Sequence, residues 1–232
     1  MHIEDLNWMD VESYLKTDDR LILIIGATEQ HGFLSLTTDI RIPQALADAA
    51  ASQTGVLIAP PLNFGCSPYF LAYPGTFSLR ISTLLDAVED LVRSAYGQGF
   101  RRILLLNGHG GNDGSRTRLA ELSNQLPGVR LAWYSWWVAN SVLKIAEKHQ
   151  IKPSHGNWLE AFPFTIVSDL PQEDKIPPFV AGLLSAMEAR QVFGDGSFGG
   201  KYQVETDIMQ ELFEAALADI LGLLEFNTGI PE

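Results

Sequence analysis

Residues 21–39, LILIIGATEQHGFLSLTTD, decide how the rest of the chain is read. Five aliphatic residues, Leu21 to Ile25, stand together without a charge. That is the pattern of a strand buried on both faces, as in a parallel sheet. Gly26 ends the strand, and Glu29, His31 and Asp39 follow it. Carboxylate, imidazole and carboxylate in a loop off a buried strand make half of a divalent-metal site. Ligands of open α/β sheets bind beyond the carboxyl ends of the strands, so the position suits one. In extended chain Glu29 and His31 point to one side and Gln30 turns away. The competing reading is a polar loop with a helix-capping acid.

Working outward, the aliphatic run recurs at residues 101–106, RRILLL, and Asn107-Gly108-His109-Gly110-Gly111-Asn112 follows it. Glycines there let the backbone approach a ligand closely and leave N–H groups free to face an anion. A plain βα turn is the alternative, and a nucleotide-phosphate loop fits neither GxGxxG nor the Walker spacing. Shorter apolar strands are expected at 56–59 and 129–134. Helices are expected at 43–53, opened by Pro43 in its first turn, at 83–97 with a capping box from Thr83 to Asp86, at 115–125, and from Trp137 to Lys148. Strands alternating with such helices predict βαβ units and a mainly parallel sheet in a single α/β domain over 1–232.

Amphipathic helices are also expected at 4–16 and 205–226, with Asp207 as a first-turn acid and His149 at a helix C-terminus. Residues 60–80 hold four prolines and several aromatics and read as a structured loop, whose Tyr69, Phe70 and Tyr73 are pocket candidates. Past residue 150 a helical turn and a strand are expected, then an exposed Pro/Gly loop through 170–200 that ends at Lys201. His155 and Glu160 are five apart, so one helical face does not join them. They share a cleft only if His155 precedes the helix, and a surface pair is the alternative.

The formal net charge of −12 removes the electrostatic drive for nucleic acid. No apolar run approaches the roughly 18 residues needed to cross a bilayer. The acidic N-terminus lacks the order of a secretory signal. Cys66 is the single cysteine, so no disulfide closes within the chain. The cytoplasm, with no nucleic acid and no membrane as partner, is the expected setting. Cys66 reads as a small apolar filler, His2 as part of a mobile terminus, and Trp136 and Trp137 as core or interface residues.

Four segments, GATEQHG at 26–32, YPGTFSLR at 73–80, NGHGGN at 107–112 and HGNWLE at 155–160, come in an order and spacing that resemble the creatininase family of metal-dependent amidohydrolases. The resemblance covers residues 20–165. It implies a three-layer α/β/α sandwich with a mainly parallel sheet, two divalent ions per subunit and a homohexamer. Carried over by position, Glu29, His31, Asp39, His109 and Glu160 match the metal ligands, with Asp39 as the bridge. His155 matches the histidine that works beside them, and Glu160 shares its catalytic setting. The mixed N/O donor set suits Zn²⁺, Mn²⁺ or Fe²⁺. The implied reaction is hydrolysis of a cyclic amide, formamide or peptide-like bond in a small-molecule substrate by a metal-activated water, with His155 carrying a proton to the leaving nitrogen and amides of the 108–111 turn holding the oxyanion. Tyr73, Gly108, Gly110 and Trp158 are the expected pocket residues.

The chain departs from that pattern in three places. The segment after His31 is one residue shorter and lacks the family's second histidine and proline. Trp158 stands at an acidic position. NGHGGN lacks the glutamate that true creatininases carry, a role that Glu160 takes over, which argues against creatinine as the substrate. The competing function is a catalytically silent metal-binding structural or regulatory member; a nucleotide-binding module using the glycine turn is the third reading.

Overall fold

The computed structural model describes residues 1–227. Four strands, β1 (Arg20–Ile25), β2 (Leu57–Ile58), β3 (Arg102–Asn107) and β4 (Arg130–Ser135), form one sheet in the order β2-β1-β3-β4. Every pairing is parallel. Side chains alternate across a strand, and in β1 and β3 both sets are apolar. Ile22, Ile24, Leu104 and Leu106 pack on one face against α2 (Thr38–Thr54), α5 (Asn140–Lys148) and α7 (Thr206–Leu223). Leu21, Leu23, Ile25, Ile103 and Leu105 pack on the other against α3 (Ile81–Gln98) and α4 (Ser115–Gln125). The three-layer α/β/α sandwich expected from the resemblance is therefore present.

This topology positions the site. From β1 the chain passes over one face through α2 to reach β2 on one side. It then crosses the other face through α3 to reach β3 on the opposite side. The strand order thus reverses between β1 and β3, and the crevice at their carboxyl ends is where open α/β sheets bind ligands. Ile25 pairs with Asn107 there, so the segments that begin at Gly26 and Gly108 leave the sheet side by side.

Several local expectations are corrected. Helix α2 begins at Thr38, which places Pro43 inside it. Proline costs the bond to the carbonyl four residues back, here that of Asp39. That carbonyl lies instead against Gly26 and Gly108, where an added Cβ would come within 2.5 and 1.9 Å of it. No capping box forms at Thr83, because α3 starts two residues earlier, after Arg80. Capping boxes form at Asn7/Asp10, ahead of α1 (Trp8–Tyr14), and at Ser185/Glu188, ahead of α6 (Ala186–Phe193). Helix α6 lies within the stretch expected as loop. The strand expected after Glu160 reduces to one bridge between Leu34 and Ile166. His2 is held by Asp48 at 2.8 Å and bridges to Ile58.

Candidate metal centre

Glu29 and His31 leave the end of β1, and both are buried. The shortened segment after them closes quickly, with the Leu34 amide donating to the His31 carbonyl and the Thr38 amide to that of Ser35. It delivers Asp39 in the first turn of α2, where the helix dipole favours a carboxylate. His109 follows β3 directly. Glu160 ends a single 3-10 turn, Trp158–Glu160, and its Oε2 accepts the Gly156 amide at 2.6 Å. His155 precedes that turn, so the two reach one cleft without sharing a helix.

Glu29, His31, Asp39, His109 and Glu160 converge. Glu29, Asp39 and His109 have donor atoms within 4.8 Å of one another, as do His31, Asp39 and Glu160, and as do Glu29, His31 and His155. Asp39 divides its oxygens: Oδ1 lies 2.9 Å from His31 Nε2, and Oδ2 lies 3.0 Å from His109 Nδ1. Even so, His31 Nε2 and Asp39 Oδ2 are fully buried and make no hydrogen bond. Their short contacts lack hydrogen-bond alignment, and buried polar groups left in that state need an explanation.

Each histidine is also held at its far nitrogen. Nδ1 of His31 lies 3.0 Å from the Glu29 carbonyl, to which it donates, which leaves Nε2 facing inward. Nε2 of His109 donates to the Cys66 carbonyl at 3.0 Å and lies 3.2 Å from Ser67 Oγ, which leaves Nδ1 facing Asp39. A backbone carbonyl on the far nitrogen is the usual support of a metal-bound imidazole. This donor set fits a divalent cation.

The charges agree. Burial alone would lower the pKa of His31, but Asp39, Glu160 and Glu29 raise it to about 10. His109 is likewise raised to about 9 against burial, chiefly by Glu29 and Asp39. Burial raises Glu160 to about 7. Burial would raise Asp39 too, but the two histidines hold it low. Two imidazolium protons thus supply the positive charge that a cation would replace. His155 differs: burial and the neighbouring His31 push it well below its ordinary value, so it is neutral. Its ring stacks on Phe70 at 4.7 Å, and its Nδ1 lies 3.9 Å from Glu29 Oε1.

Other site residues were less visible in the sequence. Gln30 does not simply turn away: its side-chain amide accepts from the Gly32 amide, donates to the Gly196 carbonyl and lies 3.0 Å from His155 Nε2. Asn112 donates from Nδ2 to the carbonyls of Ile25 and Gly26, and its Oδ1 accepts the Cys66 amide. It stitches β1, β3 and the 60–80 loop together. Phe198, from the Pro/Gly-rich segment, packs 5.0 Å from His155.

A cavity of about 470 Å³ opens over the cluster and is lined by Gly108 and Gly110 among others. Tyr73 and Trp158 do not line it. Tyr73 stands behind Phe70, ring centres 5.8 Å apart. Trp158 is fully buried in the core and donates its indole N–H to the Lys152 carbonyl. Trp137 lines the cavity while Trp136 is core. The Gly108 amide donates to the Ile25 carbonyl and the His109 amide to Asn107 Oδ1, so neither is free for an oxyanion.

Comparison with known proteins gives the family. The family model described as creatininase, creatinine amidohydrolase, matches residues 4–224. Creatinine amidohydrolase of Pseudomonas putida is 32% identical over 114 residues, which are 46% of this chain and 44% of that one. A mycofactocin precursor peptide peptidase of Mycolicibacterium smegmatis is 37% identical over 99 residues, 40% of each chain. The matched stretch thus spans less than half the length of these curated relatives. A solved structure titled "Creatininase Mn" superposes with a TM-score of 0.76 at 22% identity, covering 100% of this chain and 99% of that one, a likeness of fold. A family match that runs from residue 4 to residue 224 takes in both strand ends, α2 and the 155–160 segment, and the chain belongs to the creatininase family of hydrolases.

Proposed function

We propose that the chain is a metal-dependent amidohydrolase that adds water across a C–N bond of an amide, formamide or peptide-like small molecule. The observation that carries this is the division of Asp39 between His31 and His109, which makes two donor groups with one shared carboxylate. Glu29, Asp39 and His109 would hold one divalent ion, and His31, Asp39 and Glu160 a second. Such a pair supplies Lewis acidity and a nucleophilic water at neutral pH. Zn²⁺, Mn²⁺ and Fe²⁺ suit the donor set, and a solved structure similar in fold is named as a manganese form.

The chain's own residues do the rest. His155, neutral and wedged between Phe70 and Phe198, accepts a proton at Nδ1 and returns it to the nitrogen as the C–N bond breaks. Gly110 and Gly111, which line the cavity, offer their amides for the developing oxyanion. Gln30 fixes the imidazole from behind. With this reading we place a homohexamer and a cytoplasmic setting, which the family resemblance and the lone Cys66 support.

The test is metal content and amine release from an amide and formamide panel, measured on the same preparations. His31→Ala should lose metal and turnover together. His155→Ala should keep the metal and lose roughly 10²–10⁴-fold in kcat. Full metal loading with no hydrolysis of any panel member would favour the silent metal-binding reading instead.

A further inference from the structure

Above the cluster, the cavity wall is built from Tyr69, Phe70, Trp137, Val138, Leu143 and Phe198. Apolar walls are normal in ligand sites and by themselves discriminate little. The discriminating feature is charge. Among the described residues that line the cavity there is no lysine and no arginine, and the charged side chains lie at its floor. The guanidinium of Arg190 stays behind the aromatic wall, over the Tyr73 ring, with Nη1 donating to the Ala72 carbonyl. Lys152, next to the lining residue Pro153, is exposed. The Ser67 hydroxyl is buried at the floor, where its hydrogen bond favours the Glu29 carboxylate.

A carboxylate or phosphate carried into this space would leave water for a wall that offers it the hydroxyls of Tyr69 and Ser154 but no cation, and a charge without a counter-ion there is costly. The space itself is ample. At about 30 Å³ per water it corresponds to about 15 waters, room for an aromatic ring beside the reacting bond. The rings of Tyr69, Phe70, Trp137 and Phe198 in the lining favour stacking and edge contacts with such a group.

We infer that the substrate presents an uncharged, apolar, aryl-sized group beside its scissile C–N bond, and that Val138 and Leu143 set this preference by keeping cations off the wall. This rests on the hydrolase reading above. It sets the preferred substrates apart from amides whose adjoining group carries a carboxylate or phosphate.

Two matched pairs of probes test it on the metal-loaded protein. Turnover is compared for formanilide and para-formamidobenzoate. Binding is compared for benzohydroxamate and its para-carboxy analogue, followed by tryptophan fluorescence, since Trp137 lines the cavity. The neutral member should be favoured by about tenfold or more in kcat/KM and in Kd. Leu143→Arg should move both ratios toward the anionic member by about tenfold. If Leu143→Arg does not fold, Val138→Arg carries the same measurement from a more exposed position. Equal or better use of the anionic members by the unaltered protein, binding of neither hydroxamate, or unmoved ratios in the folded variants would overturn the inference. Selective binding of the neutral hydroxamate without turnover of either formamide upholds the cavity's preference for an uncharged aryl group and overturns the hydrolase reading on which its use beside a scissile bond rests.

Discussion

Asn112 shows how much a single buried amide can hold. It is fully buried, and its Nδ2 serves the carbonyls of Ile25 and Gly26 and the Asn107 Oδ1, while its Oδ1 takes the Cys66 amide. These are the ends of both central strands and the loop whose carbonyl fixes the His109 tautomer. Asn112→Ala leaves several buried groups unsatisfied and should cost about 3 kcal/mol or more. Asn112→Asp keeps an acceptor for Cys66 but sets a carboxylate against three oxygens, and should be no better. Urea denaturation measures both; a loss under about 1 kcal/mol for Asn112→Ala would refute this role. The last residue of NGHGGN drew no role from the sequence because a buried amide leaves no periodic trace. Its one signal was a polar residue that a glycine turn does not require. Glu29 and His31 were legible because extended chain fixes their common side. Gln30 was legible only in part: the same geometry turns it from the carboxylates, but nothing local reveals that His155 comes from far along the chain to meet it.

At the scale of elements, the amino ends of β1 and β3 pose a problem that the carboxyl ends do not. Parallel register sets Arg20 directly beside Arg102. Asp18 answers it, with Oδ2 2.6 Å from Arg20 Nη2 and Oδ1 3.2 Å from Arg102 Nη2, while Asp19 pairs with Arg102 as well. Burial would raise the Asp18 carboxyl, but the Arg20 and Arg102 contacts hold it below the ordinary aspartate value of 3.8. A lowered native pKa means stability that is present above 3.8 and lost as pH falls through the native value. Asp18→Asn should therefore destabilise by about 1 kcal/mol at neutral pH. The difference from the unaltered protein should shrink below about pH 4. Denaturant midpoints across pH check it, and a gap that persists at low pH would mean that packing, not charge, is the cause. The strands themselves were readable because both faces are buried and the runs are unbroken. The start of α2 was misplaced because proline was assigned its commonest position. What fixes that start is tertiary: Gly26 and Gly108 admit the Asp39 carbonyl that Pro43 cannot bond.

For the molecule as a whole, the layers follow from strands apolar on both sides, and the crevice follows from the reversal between β1 and β3. The stretch from 150 to 205 resisted sequence reading because it packs largely through turns, Gln30 and aromatic contacts, and irregular chain has no period to detect. Yet that stretch supplies Glu160 and His155. The five converging side chains come from the ends of β1 and β3, from α2 and from the 158–160 turn, so a cation held among them ties together parts of the chain that are remote in sequence. The unfolded chain offers no such arrangement, and binding to the native state alone adds about 2.7 kcal/mol at a hundredfold excess over Kd. For a chain of this length that corresponds to roughly 5–10 °C in Tm. Chelator-treated protein titrated with Zn²⁺ or Mn²⁺ and followed by calorimetry should show this rise. His31→Ala and Asp39→Asn should lose most of it, and Cys66→Ser should keep it, since only the Cys66 carbonyl serves the centre. A Tm indifferent to metal in the unaltered protein, or a rise undiminished in Asp39→Asn, would mean that the cluster does not bind the ion. Because the measurement needs no substrate, it separates a centre that binds no metal from one that binds it without turning anything over.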